Sequence, residues 1–157
     1  MYHLYNNKDK NRAISEALRV TKPGGVVFAA YCVTDASLLQ YGFISGNIYS
    51  LMEPNDFFGV TMPGYKAYST PKSLFEIVRK EDIDELMTAH PTTRLHYVAT
   101  DLFTNHMRAT VDAMDDKTFA LYLDYHFFLC ERADMVGLSH HVLDVFRKED
   151  ATHPPSL

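Results

Sequence analysis

The sequence predicts an α/β domain, and three observations carry that reading. A helix-patterned segment ends in Lys22-Pro23-Gly24-Gly25 and is followed at once by Val26-Val27-Phe28-Ala29-Ala30-Tyr31-Cys32, an apolar run without polar alternation. Such a run reads as a strand buried on both faces, and helix, glycine turn and buried strand make half of a βαβ crossover. Two later segments, Arg94 to Thr100 and Ser139 to Lys148, also read as full strands.

The elements follow in order. Asn6 or Asn7 can cap the first helix, with Asp9 in its favourable first turn. Ala13, Ile14, Ala17 and Leu18 form its buried stripe, and the Pro-Gly-Gly turn stops it. From about 35 to 71 the pattern loosens, with Gly42, Gly46, Gly59, Gly64, Pro54 and Pro63 among Phe43, Ile44, Tyr49, Leu51, Phe57 and Phe58. Ser37 to Leu51 reads as a helix broken near Gly46, then a loop. An apolar insertion of this length is either a lid over a pocket or a peripheral helix packed on the sheet. Phe75 to Val78 reads as a short strand and Glu81 to Met87 as a helix with an acidic first turn. In Arg94 to Thr100, the alternation puts Leu95, Tyr97 and Ala99 on one face. Leu102, Phe103, Met107, Val111 and Met114 mark a further helical stripe, with His106 at that helix's start and Asp101 as its expected cap. Asp115 or Asp116 caps a helix over Phe119 to Glu131, apolar nearly all round and so expected to lie between layers or against another chain. A tail over 151–157 is expected to be disordered.

Composition narrows the function. The chain has 157 residues, 46% hydrophobic and 22% charged, with a formal net charge of −5. No dense Lys/Arg run is present, which argues against nucleic acid or an anionic membrane surface as a partner. The longest apolar run, Val26 to Val33, is far short of the roughly 20 residues of a bilayer span, and the polar opening is unlike a secretory signal. Two cysteines, Cys32 and Cys130, make no disulfide framework, so a cytoplasmic location is expected.

Two stretches say more. Met1-Tyr2-His3-Leu4, then a charged helix, then Glu16-Ala17-Leu18-Arg19-Val20-Thr21-Lys22-Pro23-Gly24-Gly25 closely resembles the S-adenosylmethionine-dependent methyltransferases of the Rossmann-like class. Many small-molecule members read G-P-L-Y-H-L at the end of the fourth strand and E-A-x-R-V-L-K-P-G-G before the fifth. Here Met1 takes the leucine position and Thr21 replaces the usual leucine. The second stretch, Leu95 to Asp101 with Ser139 to Lys148, is similar to that family's sixth and seventh strands, the seventh antiparallel. Residues 101 to 132, with Tyr125-His126 and Cys130-Glu131-Arg132, resemble the helical insertion of a bacterial subgroup.

The resemblance implies the C-terminal half of a Rossmann-like methyltransferase fold over residues 1–150: a mixed sheet with an antiparallel last strand, a lid-like insertion over about 35–71 and a helical one over about 101–132. The glycine-rich turn and the strand-end acid that grip the donor in this family are absent from the sequence. The sequence leaves open whether Met1 is a genuine start, a truncation or a cut inside a longer chain. S-adenosylmethionine is the implied cofactor of the intact enzyme, with poor binding expected of this chain alone. By the resemblance Tyr2, His3 and Leu4 lie beside the transferred methyl. His3 is the candidate base and Tyr2 the cation–π wall of the sulfonium pocket. Without the resemblance, Tyr2 and His3 simply pack their loop.

Tyr31, His106, Tyr125 and His126 are candidates for the pocket of a small-molecule methyl acceptor. Core packing for Tyr31, and a satisfied position between helices for the others, explain them as well. His126 and Cys130 share a helix face but lack a third ligand, and His140 and His141 point to opposite faces of a strand, so no metal site is expected. Loss of the fourth strand would leave Val26 to Cys32 as an apolar edge, so a homodimer through that edge or through helices is expected. The alternative function is a non-enzymatic, truncated module that self-associates or docks onto a partner.

Overall fold

The computed structural model describes residues 1–149; the expected tail, 151–157, lies outside the described residues. Helix α1 runs over Asn7–Val20. The Asn6 side chain caps it by accepting from the Asp9 N–H at 2.9 Å, and Ile14 and Leu18 are its buried ridge. At the turn that follows, Gly24 has φ +71°, and a Cβ on Gly25 would lie 2.6 Å from a Thr21 methyl. Glycine is favoured at the first position by its positive φ and at the second by the lack of room for a Cβ, which is why the helix can reverse tightly into strand β1, Val26–Val33.

Four strands form the main sheet in the order β4-β1-β6-β5, where β4 is Ile77–Val78, β5 is Thr92–Ala99 and β6 is His141–Lys148. Strand β6 is antiparallel to both its neighbours, and β4 is parallel to β1, so the sheet is mixed with an antiparallel last strand. Helix α4, Lys80–Thr88, follows β4; its Arg79 N–H donates to the Asp82 carboxylate at the first turn. Ile14 and Leu18 of α1 and Ile83 and Leu86 of α4 pack with Ala29, Tyr31, Ala99, Val142 and Phe146 into the core. The register puts Val27, Ala29 and Tyr31 beside Phe146, Asp144 and Val142, so these alternate residues define the covered face.

The other face is different. Phe28 is 66% exposed and Val26 is 40% exposed, with half-exposed Ala30 and Leu143 beside them. Strand β1 is therefore covered on both faces only toward its carboxyl end, not along its whole length. Its edge away from β6 is only partly covered: β4 pairs with Cys32 and Val33, and the Met1 ammonium donates to the Ala30 carbonyl at 2.6 Å. The uniformly apolar run is a fair signal of a two-sided strand, but helices from this chain cover one side.

Between β1 and β4 lie helix α2 (Thr34–Ser37), a π-helical segment (Leu38–Ile44) and helix α3 (Ile48–Met52). The break falls at Gly46, φ +73°, where the sequence placed it. The expected loop is instead a hairpin, β2 (Phe58–Thr61) with β3 (Lys66–Ser69). Its anchor is Glu76, whose carboxylate accepts from the buried Lys10 ammonium at 2.7 Å and from Ser69 Oγ at 2.5 Å.

Three further expectations need correction. Leu95 sits in a β-bulge between Arg94 and His96, which flips the parity: Arg94 and Tyr97, not Leu95 and Tyr97, share a face, and the Arg94 guanidinium lies 5.1 Å from the Tyr97 ring centroid. The stripe after Asp101 forms turns and only a short helix α5, Arg108–Asp112, so His106 precedes the helix. Helix α6, Asp116–Leu129, contains no buried residue; Leu121, Tyr125, Phe127 and Phe128 are all more than half exposed. Its lack of a polar face matches no layer among the described residues. Among the described residues no helix is long and apolar enough to cross a membrane.

Candidate functional site

The carboxyl ends of β1 and β5 and the start of β6 meet at one end of the sheet, where α/β folds place ligands. The centre of this end is Asp101, just past β5. Its Oδ1 accepts from the His141 backbone N–H at 3.0 Å and from Ser139 Oγ, while its Oδ2 lies 3.2 Å from His141 Nδ1 and accepts from Asn105 Nδ2 at 2.7 Å. The expected helix cap is thus a clamp on a histidine 40 residues away. Ser139, fully buried, also accepts from the N–H groups of Asp101 and Leu102 at 3.2 and 3.1 Å. Leu102 is held at φ +41°, a left-handed conformation costing a leucine roughly 1–2 kcal/mol. Backbone strain of this kind persists where surrounding contacts over-determine it, and Ser139 supplies them.

Aromatic side chains surround the clamped imidazole. The Tyr2 ring meets His141 edge-on at 5.7 Å, Phe75 stands 5.2 Å from Tyr2 and 6.4 Å from His141, and His3 lies 5.7 Å from Phe75. The Tyr2 carbonyl accepts from the Glu76 N–H at 2.7 Å, fixing the opening residues against the segment before β4. His3 is exposed, Tyr2 and Leu4 are half-buried, and burial raises the Tyr2 hydroxyl above its ordinary pKa. The Cys32 thiol, on the strand position paired with His141, is pushed up to about 12 by burial. It is protonated and inert at neutral pH.

A second group adjoins the first. His140, 5% exposed, lies 5.3 Å from the His106 ring and 5.9 Å from that of Tyr41. Gln40 Oε1 is 3.1 Å from His106 Nδ1. Gln40 and Tyr41 both come from the π-helical segment, so the insertion does lie over this end of the sheet. The His140 Nε2 is buried without a hydrogen-bond partner, and its pKa is lowered chiefly by burial and further by His106 and His141, against an opposing pull from Asp101.

The sequence-derived candidates separate accordingly. Tyr2, His3 and His106 come to this end of the sheet. Tyr31 does not: it is 2% exposed on the covered face, packed in the core, so it lines no open pocket. Tyr125 is exposed on α6 and stacks on Phe128. His126 Nε2 lies 3.2 Å from the Thr100 carbonyl, at the margin of the cluster, while Cys130 Sγ donates to the Phe127 carbonyl at 3.1 Å. Sequence reasoning missed Asp101, Ser139, His141, Gln40, Tyr41 and Phe75 as members of a site. The polar run Ser139-His140-His141 ahead of an apolar strand was the one local signal; the partner carboxylate is visible only through the β5–β6 register. Among the described residues no group of three ligands could hold a metal ion.

For a sulfonium nucleoside donor, Tyr2 offers an aromatic wall, but no glycine-rich turn exists in the chain to approach it. The residues present do not make a donor site by themselves. No protein-family model matches the chain, and no curated protein matches it at a significant level.

Proposed function

We propose that this chain is the C-terminal, acceptor-side half of a small-molecule S-adenosylmethionine-dependent methyltransferase, poorly active alone, with S-adenosylmethionine bound only in the intact enzyme. The observation that carries the reading is the sheet: β5-β6-β1 in that spatial order with β6 antiparallel, joined to two helices that cover one face only. In the resembling family these strands are the sixth, seventh and fifth, and the fourth strand, from the donor-binding half, pairs along the edge of the fifth. The Val26–Ala30 part of the β1 edge, which no strand of the described residues pairs, lies where that strand would sit. The residues at the carboxyl end of the sheet then serve the acceptor: the Asp101–His141 pair, the aromatic rings around it and His106 under the insertion. Calorimetric titration tests this. S-adenosylmethionine should give no saturable heat with these 157 residues. It should bind at micromolar concentration when a glycine-rich donor-binding half is fused ahead of Met1. Tight binding by the chain alone refutes the reading.

The exposed apolar side chains of α6 and the partly open β1 edge also favour the second reading, a non-enzymatic module that pairs with another copy or with a partner. An isolated apolar edge recruits whatever strand is at hand.

A further inference from the structure

We propose that His141, oriented by Asp101, accepts a proton from an aromatic hydroxyl compound bound at the carboxyl end of the sheet. The inference deepens the methyltransferase reading by naming the class of acceptor, and it rests on that reading only for what happens to the hydroxyl afterwards. An ionised carboxylate can only accept, so the 3.2 Å contact between Asp101 Oδ2 and His141 Nδ1 puts the ring proton on Nδ1. The Nε2 lone pair is then free, and the imidazole remains 37% exposed while Asp101 is 19% exposed. The Asp101 carboxylate is held in this orientation because Ser139, Asn105 and the His141 N–H occupy its remaining acceptor positions. The neighbours choose the ligand. Tyr2 and Phe75 stand 5.2–6.4 Å from one another and from His141, and the exposed His3 ring lies 5.7 Å from Phe75, an aromatic rim against which a flat aromatic body can pack. In the step, the O–H bond breaks, its proton passes to Nε2 and the electron pair stays on oxygen. The product is a phenolate beside an imidazolium whose charge Asp101 offsets. His141 would be the catalytic residue and Asp101 a positioning residue.

The test uses the chain itself, with 4-nitrophenol as probe and nitrogen-15 NMR of labelled histidine rings as readout. Wild-type His141 should show the Nδ1–H tautomer and shift saturably with 4-nitrophenol. Asp101→Asn, folded by circular dichroism, should mix the tautomers. His141→Gln should weaken binding about tenfold, the size of one strong hydrogen bond lost. His96→Gln, on the surface and paired with Glu131, should bind as wild type. An Nε2–H tautomer in the wild type, absence of a saturable shift at His141, or equal binding by His141→Gln overturns the proposal. No methyl donor is present in the measurement, so failure of the donor reading and failure of this one are separately visible.

Discussion

The two faces of the sheet invite comparison. On the covered face, Phe146 and Asp144 are fully buried, and Asp144 receives a two-pronged contact from Arg94, Nε to Oδ1 at 2.7 Å and a terminal nitrogen to Oδ2 at 2.8 Å. A third Arg94 contact reaches Asp84 at 2.5 Å. On the bare face one strand position away, Phe28 stands 66% exposed. Both faces carry apolar residues of similar type. Burial of the first set stabilises this chain; the second set lowers free energy only when something else covers it. Stability therefore resides on one side of the sheet, and the association we propose would use the other.

Substitutions can break that contrast. A large loss should come from Asp144→Ala, which removes two of the three carboxylate contacts of Arg94 and leaves it only Asp84; losing charged hydrogen bonds of this kind costs about 3 kcal/mol, read as a shift in urea midpoint. Phe146→Ala should cost about 3–4 kcal/mol by loss of packing and a cavity. Phe28→Ala on the bare face should change monomer stability by less than about 0.5 kcal/mol. Equal losses at Phe28 and Phe146 would erase the distinction between the faces. Gly24→Ala, at φ +71°, should cost about 1 kcal/mol whichever face is covered.

Acid should sharpen the picture at the carboxyl end. His140 has its pKa lowered from 6.5 by burial, so the unfolded chain binds more protons just below that pH. Stability should fall as pH drops below about 6.5 and level off once the folded-state value is passed. Asp101, His106 and His141 act on His140 and the Tyr41 ring packs edge-on against it, so hydrogen exchange of residues 38–44 should rise in step. His140→Phe should flatten the slope. The same slope in wild type and variant would place the titration elsewhere.

How much of this was legible depended on range. Helix α1, its Asn6 cap, the Pro-Gly-Gly stop, β1 and the Gly46 break are written in neighbouring residues and were readable. The β2–β3 hairpin was not, because its strands are four residues each and their stability comes from Glu76 and the cross-strand Gly59–Tyr68 contact rather than from alternation. The bulge took Leu95 off the face it was expected to share with Tyr97 and Ala99, since a one-residue insertion is invisible to a period of two. At the site, His3 and His106 were found by residue type, whereas Asp101 and His141 needed the register of two strands to meet.

Sedimentation velocity at micromolar concentration tests most directly whether the bare face is a seat for protein. The chain should travel as a dimer or larger species, and Phe28→Asp should return it to a 17.9 kDa monomer. A wild-type chain that sediments as a clean monomer, with Phe28 solvent-exposed and uncovered, would contradict the account.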